Sequence, residues 1–223
     1  MFSFTTLYAA WVFIHSKEFS LYASSKISNI LTKKIGLELS FENLDFGMFP
    51  PSTIFKNVHL KKKQNDRYAL DLKLAEFGVY FTYASFFSSN LEIDELQLNN
   101  GSLDLNISHD KDEPEIEWKK INFNKVFDKY LEYYSKSPVK LNFIKINNVK
   151  SKIDLVSGQI NSITLMPHKK NIKLKTDLSE IAIDKKIKDL NLPKIKNLIA
   201  QFEFNKEELI LDKFKLGFES NEI

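Results

Sequence analysis

Large apolar residues recur along this chain two apart, then three, then two, and the spacing appears five times. The quartets are Leu39/Phe41/Leu44/Phe46, Leu72/Leu74/Phe77/Val79, Leu91/Ile93/Leu96/Leu98, Val139/Leu141/Ile144/Ile146 and Leu209/Leu211/Phe214/Leu216. A period of two puts one set of side chains on one face of a sheet. The extra residue at the centre of a quartet, as at Asp94-Glu95 or Asp212-Lys213, keeps the phase only if a β-bulge absorbs it. The pattern therefore predicts bent strands of one repeated kind, apolar on one face and rich in Lys, Glu and Asn on the other. The quartets start at irregular intervals, which speaks against a strict solenoid period.

Turn chemistry adds two hairpins to that picture. Asn100-Gly101 is the preferred dipeptide for a two-residue type I′ turn, in which both central residues need positive φ. It predicts Leu98 opposite Leu103 and Leu96 opposite Leu105, with Gln97 and Asp104 on the other face. A second, weaker signal predicts a hairpin over Ile144 to Leu155, folded about Asn148 to Ser151. Further upstream, Gly47-Met48-Phe49-Pro50-Pro51 reads as a turn leading into a strand through Ile54, Phe55, Val58 and Leu60, and Lys61 to Asp66 as a polar hairpin loop.

Two stretches carry a helical period instead. Phe19, Ala23, Ile27, Ile30, Leu31 and Ile35 recur at 3.6-residue spacing, and Gly36 stands where a C′ cap belongs. Phe123, Val126, Phe127, Tyr130, Leu131 and Tyr134 form a second stripe, which predicts one amphipathic helix inserted at about 118–135. Ahead of both, Phe2 to Ile14 is uncharged and mostly apolar. As a helix rising ~1.5 Å per residue it spans roughly 20 Å, short of a ~30 Å hydrocarbon core. A membrane anchor therefore has to run on past His15, with Lys17 and Glu18 snorkelling, or begin further upstream. A signal peptide or a buried helix competes with that reading, although no basic residue precedes the run. Lys17, Lys26, Lys33 and Lys34 all follow it, which by the positive-inside rule argues against export of what comes after. The chain divides on this reading into residues 1–35, membrane anchor and amphipathic helix, and residues 36–223, a β domain.

Composition mostly excludes. The chain has 19 Phe but only 6 Gly and 6 Pro, too apolar and too ordered in pattern for a disordered segment. The net charge of +3 names no polyanionic partner. Lys140, Lys145, Lys173 and Lys175 alternate with apolar residues as a solvated strand face requires, and no basic-aromatic nucleic-acid module is present, so no nucleic acid is expected as partner. There is no cysteine, hence no disulfide or thiolate chemistry. The histidines His15, His59, His109 and His168 are scattered without metal-ligand spacing, and Asp110 to Glu117 lacks the ordered ligand positions and glycine of a calcium loop. No phosphate-binding glycine loop, nucleophile elbow or dinucleotide fingerprint occurs. No catalytic residue, metal or cofactor is predicted, and the chain does not read as an enzyme.

The order of parts, with Ile35-Gly36-Leu37-Glu38-Leu39-Ser40-Phe41-Glu42-Asn43-Leu44-Asp45-Phe46, then Phe55-Lys56-Asn57-Val58-His59-Leu60, then Leu91 to Leu105, resembles the N-terminal region of AsmA-like proteins. These are bacterial relatives of the chorein-type bridge lipid-transfer proteins, and the resemblance covers roughly Phe2 to Leu155. It implies a single inner-membrane anchor with the bulk of the chain in the periplasm, and a mainly β fold built as a curved antiparallel sheet with an open apolar groove. It also implies phospholipids as ligands, the membrane and other envelope proteins as partners, and a part in moving lipid from inner to outer membrane. The groove would be lined by the five quartets together with Leu103 and Leu105. Two features depart from the family: the basic residues lie on the unexpected side of the anchor, and the sequence stops at Ile223 without the long repeated body. Periodicity alone leaves another fold open, in which the same face packs against a second sheet or against the helix. The rival function is a membrane-anchored assembly scaffold that binds other proteins through its sheet edges.

Overall fold

The computed structural model describes residues 12–13, 16–62, 68–87, 91–107, 132, 139–154, 156–167, 171–183, 194–205 and 209–218. Helix α1 spans Lys17–Ile35. Ser16 caps its start by accepting the Phe19 N–H at 3.1 Å, and Gly36 ends it in the left-handed region (φ 68°), donating its N–H to the Thr32 carbonyl. The strands follow as β1 (Glu38–Ser40), β2 (Asn43–Met48), β3 (Pro51–Lys62), β4 (Tyr68–Phe81), β5 (Leu91–Ile107), β6 (Val139–Ile153), β7 (Val156–Pro167), β8 (Asn171–Ile183), β9 (Ile195–Asn205) and β10 (Leu209–Phe218), with a 3-10 turn at Tyr83–Phe86.

All ten strands form one open sheet, in chain order, with β1 and β2 both paired to β3. Those two are halves of a single edge strand interrupted at Phe41-Glu42, since β1 lies against His59–Lys61 and β2 against Pro51–Lys56. No second sheet is present among the described residues. The predicted anchor at Phe2 to Ile14, save Val12 and Phe13, and the predicted helix at about 118–135, save Glu132, lie outside them.

Three expectations need correction. The sheet is mixed, because β5 and β6 run parallel while the other neighbours are antiparallel. A parallel neighbour needs a crossover of a dozen or more residues, and residues 108–138 supply that length. Asn100-Gly101 makes no hairpin. β5 runs straight through it, paired on one side with β4 and on the other with β6, so a reversal there would break both ladders. The dipeptide is instead a local left-handed step, with Asn100 at φ 53°. β6 likewise continues through Asn148 (φ 53°), and the chain reverses later, where Asp154 takes φ 52° and Ile153 stands opposite Val156.

These left-handed asparagines line up. Asn57 in β3 (φ 52°), Ala75 in β4, Asn100 in β5 and Asn148 in β6 occupy facing positions, each flanked by regular pairs. Asparagine tolerates this conformation because its short polar side chain bonds locally, and here Asn148 Nδ2 donates to Asn100 Oδ1 at 3.3 Å. The result is a crease across four strands, at which the in-out alternation of each shifts by one. Immediately beside it, Val58, Leu74, Gly101, Val149 and Ile160 form one cross-strand row, with Val149 only 2% exposed. Glycine is required in the middle of that row, because a Cβ on Gly101 would collide with the Lys73 carbonyl oxygen and crowd Leu74.

The core is this row joined to Phe41 and Leu44, onto which α1 packs Phe19, Ala23 and Ile27. A neighbouring stripe of the same helix does something different. Ser20, Ser24 and Ser28 present their hydroxyls to the edge strand and accept the backbone N–H groups of Leu44 (3.0 Å), Phe41 (3.3 Å) and Leu39 (3.2 Å). An edge that would otherwise offer unpaired donors is thereby closed.

Candidate functional site

Register assembles the apolar quartets into rows. On one side of the crease Leu44, Phe55, Phe77, Leu98, Ile146 and Ile163 stand opposite one another in turn. The next row runs Phe46, Thr53, Val79, Leu96, Ile144, Leu165, Leu174, Phe202 and Leu211. Phe81, Ile93 and Leu141 follow, then Leu91 with Val139. On the other side Leu39, Leu60, Leu72 and Leu103 form a row, and Leu70, Leu105, Ile153, Val156 and Ile183 another. Leu72, Phe77, Leu98 and Leu103 all pack on one cluster, so rows from both sides of the crease share a face.

The phase shifts sit inside the quartets. Asp94 is the extra residue of β5 where Tyr80 faces Glu95 but Phe81 faces Ile93, and Asp212 is the extra residue of β10 between Leu211 and Lys213. In β4 the shift falls at Ala75 on the crease. β6 follows β5 in step, pairing Leu141 with Ile93 and Phe143 with Glu95.

Burial separates the residues singled out by the sequence into three groups. Phe41, Leu44 and Leu74 are core. Leu39, Leu72, Phe77, Val79, Ile93, Leu96, Leu98, Leu103, Leu105, Leu141, Ile144, Ile146 and Leu216 are half-buried. Phe46, Leu91, Val139, Leu209, Leu211 and Phe214 are exposed. Away from α1 and the crease, the apolar face has no covering layer among the described residues.

The opposite face is laced with polar pairs. Lys145 meets Glu95 at 2.6 Å, Lys173 meets Glu203 at 3.1 Å, and Asn147 Nδ2 donates to Asn99 Oδ1 at 2.9 Å. Tyr80 lies among them, and burial, reinforced by the Glu76 and Glu95 carboxylates, holds its phenol above the usual range. Near the capped edge, Asp45 bonds Lys56 at 2.6 Å and raises the pKa of that ammonium. No group of three or more His, Cys, Asp or Glu is placed to hold a metal ion among the described residues.

One part of the site escapes the periodicity. Where β2 turns into β3 and β4 leads through the 3-10 turn to β5, an apolar pocket of about 650 Å³ opens, lined chiefly by Phe46, Met48, Phe49, Phe81, Tyr83, Phe87 and Leu91. Its volume lies in the range of small-molecule sites. The available signal is a lack of charge rather than a motif: residues 46–55 and 77–91 contain no Asp, Glu, Lys or Arg. No family model matches this chain, and no curated protein matches it in sequence.

Proposed function

We propose that this protein binds phospholipid acyl chains on its open apolar face and carries them between membranes, held at a bacterial inner membrane by its N-terminal segment with its bulk in the periplasm. The observation that carries the reading is the run of apolar rows across a single sheet that no second layer covers among the described residues. Contiguous apolar patches beyond a few hundred Å² are rare on soluble monomers unless something binds them. Away from α1 most of the quartet side chains on this face are half-buried or exposed, at Leu96, Ile144, Leu211 and Phe214 among others, as an open apolar trough requires. Moving a tail of about 16 carbons through water costs above 10 kcal/mol at ~0.8 kcal/mol per CH₂. A trough removes most of that barrier while headgroups stay wet. The resemblance to the AsmA-like N-terminal region supports the same reading.

The test uses charges on half-buried positions. Ile144→Glu and Leu96→Glu should abolish photo-crosslinking to labelled phospholipid and leave the thermal melt nearly unchanged, because an open face hydrates the new carboxylate. Organic extracts of the purified protein should contain phospholipid. Lipid-free extracts with unchanged crosslinking in both variants would transfer the proposal to the assembly scaffold. That second reading is favoured by one observation: the outer edge of β10 has no neighbouring strand among the described residues.

A further inference from the structure

We infer that the corner of the sheet formed by the β2–β3 turn and the 3-10 turn sits in the interface of a phospholipid bilayer and is the mouth through which acyl chains reach the apolar face. Three residues there are far more exposed than large apolar side chains usually are: Met48 at 77%, Phe49 at 87% and Phe87 at 91%. The surrounding stretches, residues 46–55 and 77–91, carry no charge, whereas the opposite end of the same strands ends in Lys61-Lys62-Lys63 and Arg67. Water is a poor environment for the first end and a good one for the second.

The position of α1 says what covers that corner. The helix runs antiparallel to β2, with Ser20 beside Leu44 and Ser28 beside Leu39, so its N-terminus points at the corner. Phe19 lies 6.5 Å from Phe46 by ring centroids, and Phe13 lies 5.6 Å from Phe19. Phe13, a described residue of the uncharged run from Phe2 to Ile14, is thus on the side of this corner and not of the lysine-rich end. A membrane that holds that run also meets Met48, Phe49 and Phe87. Beneath them the pocket leads inward past Phe46, Phe81 and Leu91, which head successive apolar rows of the sheet. The charges nearest the corner are Lys17 and Glu18 in the first turn of α1 and the facing pair Glu92 and Lys140 beyond Leu91 and Val139. Further along the sheet the connections are charged, His168-Lys169-Lys170 between β7 and β8 and Lys206-Glu207-Glu208 between β9 and β10, so the corner beside α1 suits the interface best.

The role as a mouth rests on the lipid-binding reading, but insertion is measured separately. The chain has no cysteine, so Met48→Cys, Phe87→Cys and, at the far end, Lys152→Cys each give one labelling site in the full chain. Each would carry an environment-sensitive fluorophore and be mixed with vesicles of phosphatidylethanolamine and phosphatidylglycerol, with and without spin-labelled lipid. Labels at 48 and 87 should shift to the blue and be quenched several-fold more than the label at 152. Equal response at all three sites overturns the proposal. So does shielding of 48 and 87 without vesicles, which would place the N-terminal segment or a second copy over the pocket. Ile144→Glu separates the two readings, since it should lose crosslinking yet still insert. Phe49→Asp combined with Phe87→Asp should lower lipid extraction from vesicles at least several-fold with an unchanged melt, and extraction at the parent rate would show that the corner is not the mouth.

Discussion

The two edges of the sheet use the same apolar spacing and end up in opposite environments. At the first edge, Leu39, Phe41 and Leu44 carry the pattern, α1 lies against them, and three serine hydroxyls take their backbone N–H groups. At the last edge, Leu209, Leu211 and Phe214 carry the pattern and stand exposed, with β9 as their only neighbouring strand among the described residues. β10 bears features that blunt an edge, a bulge at Asp212 and two lysines, Lys213 and Lys215. The comparison shows what the spacing encodes. It sets which side chains share a face, while depth of burial depends on what packs there.

Charge substitution breaks the comparison most strongly. Leu44 is 5% exposed and sits in the core under α1, so Leu44→Glu buries an unpaired carboxylate and should cost several kcal/mol, enough to unfold much of the protein. Leu211 is 51% exposed, and Leu211→Glu should stay within about 0.5 kcal/mol of the parent. Urea unfolding of the two variants reads the difference. Comparable losses would mean that β10 is covered in the full chain and that the edges are alike after all.

Removing the serine hydroxyls tests the cap itself. Ser20→Ala and Ser24→Ala each leave a buried backbone N–H, of Leu44 and Phe41, without its acceptor, and each should cost about 1–3 kcal/mol. Ser28→Ala should cost less, because Leu39 is only half-buried and water can replace the hydroxyl. Hydrogen exchange should report the same order, with the Leu44 and Phe41 amides losing most protection. A flat response across the three would show that the helix holds the edge by packing alone.

How much of this is legible beforehand differs between these features. The two-three-two spacing makes the strands, their common face and the bulges at Asp94 and Asp212 readable, because a period of two with one slip fits a bulged strand and does not fit a helix. It cannot distinguish Leu44 from Leu211, since nothing local says which edge a helix will cover. The Asn100-Gly101 dipeptide misleads because a left-handed asparagine serves a crease as well as a turn, and only the neighbours on both sides of β5 decide. The parallel β5–β6 pair depends on how a long connection crosses, which no strand pattern records. Ser16, Ser20, Ser24, Ser28 and Thr32 recur every four residues in plain view, yet serine on a helix reads as a solvated face unless a strand edge lies beside it. Of the site, the apolar rows follow from the spacing, whereas the pocket corner announces itself only through missing charge.

The smallest effect sharpens the comparison in a different way, through pH. Near the capped edge the link between β2 and β3 is Lys56 to Asp45 at 2.6 Å, and near the open edge the link between β9 and β10 is Gln201 Nε2 to Asp212 Oδ2 at 3.2 Å. The Asp45 hydrogen bond and its charge raise the Lys56 pKa above its ordinary value of 10.5. The folded protein thus holds this proton more tightly than the unfolded chain does. The stabilisation it provides is complete below the unfolded value and is lost as pH rises through the folded one. The side chains of Lys56 and Asp45 are both open to solvent, so water and salt screen the pair and the effect is slight. Lys56→Met should therefore flatten the alkaline decline of the melting temperature slightly, and more visibly in low salt than in high. Gln201→Met, which removes a donor that does not titrate, should leave the alkaline slope unchanged. Identical slopes for the two variants and the parent would show that the Lys56–Asp45 pair contributes nothing to holding the capped edge.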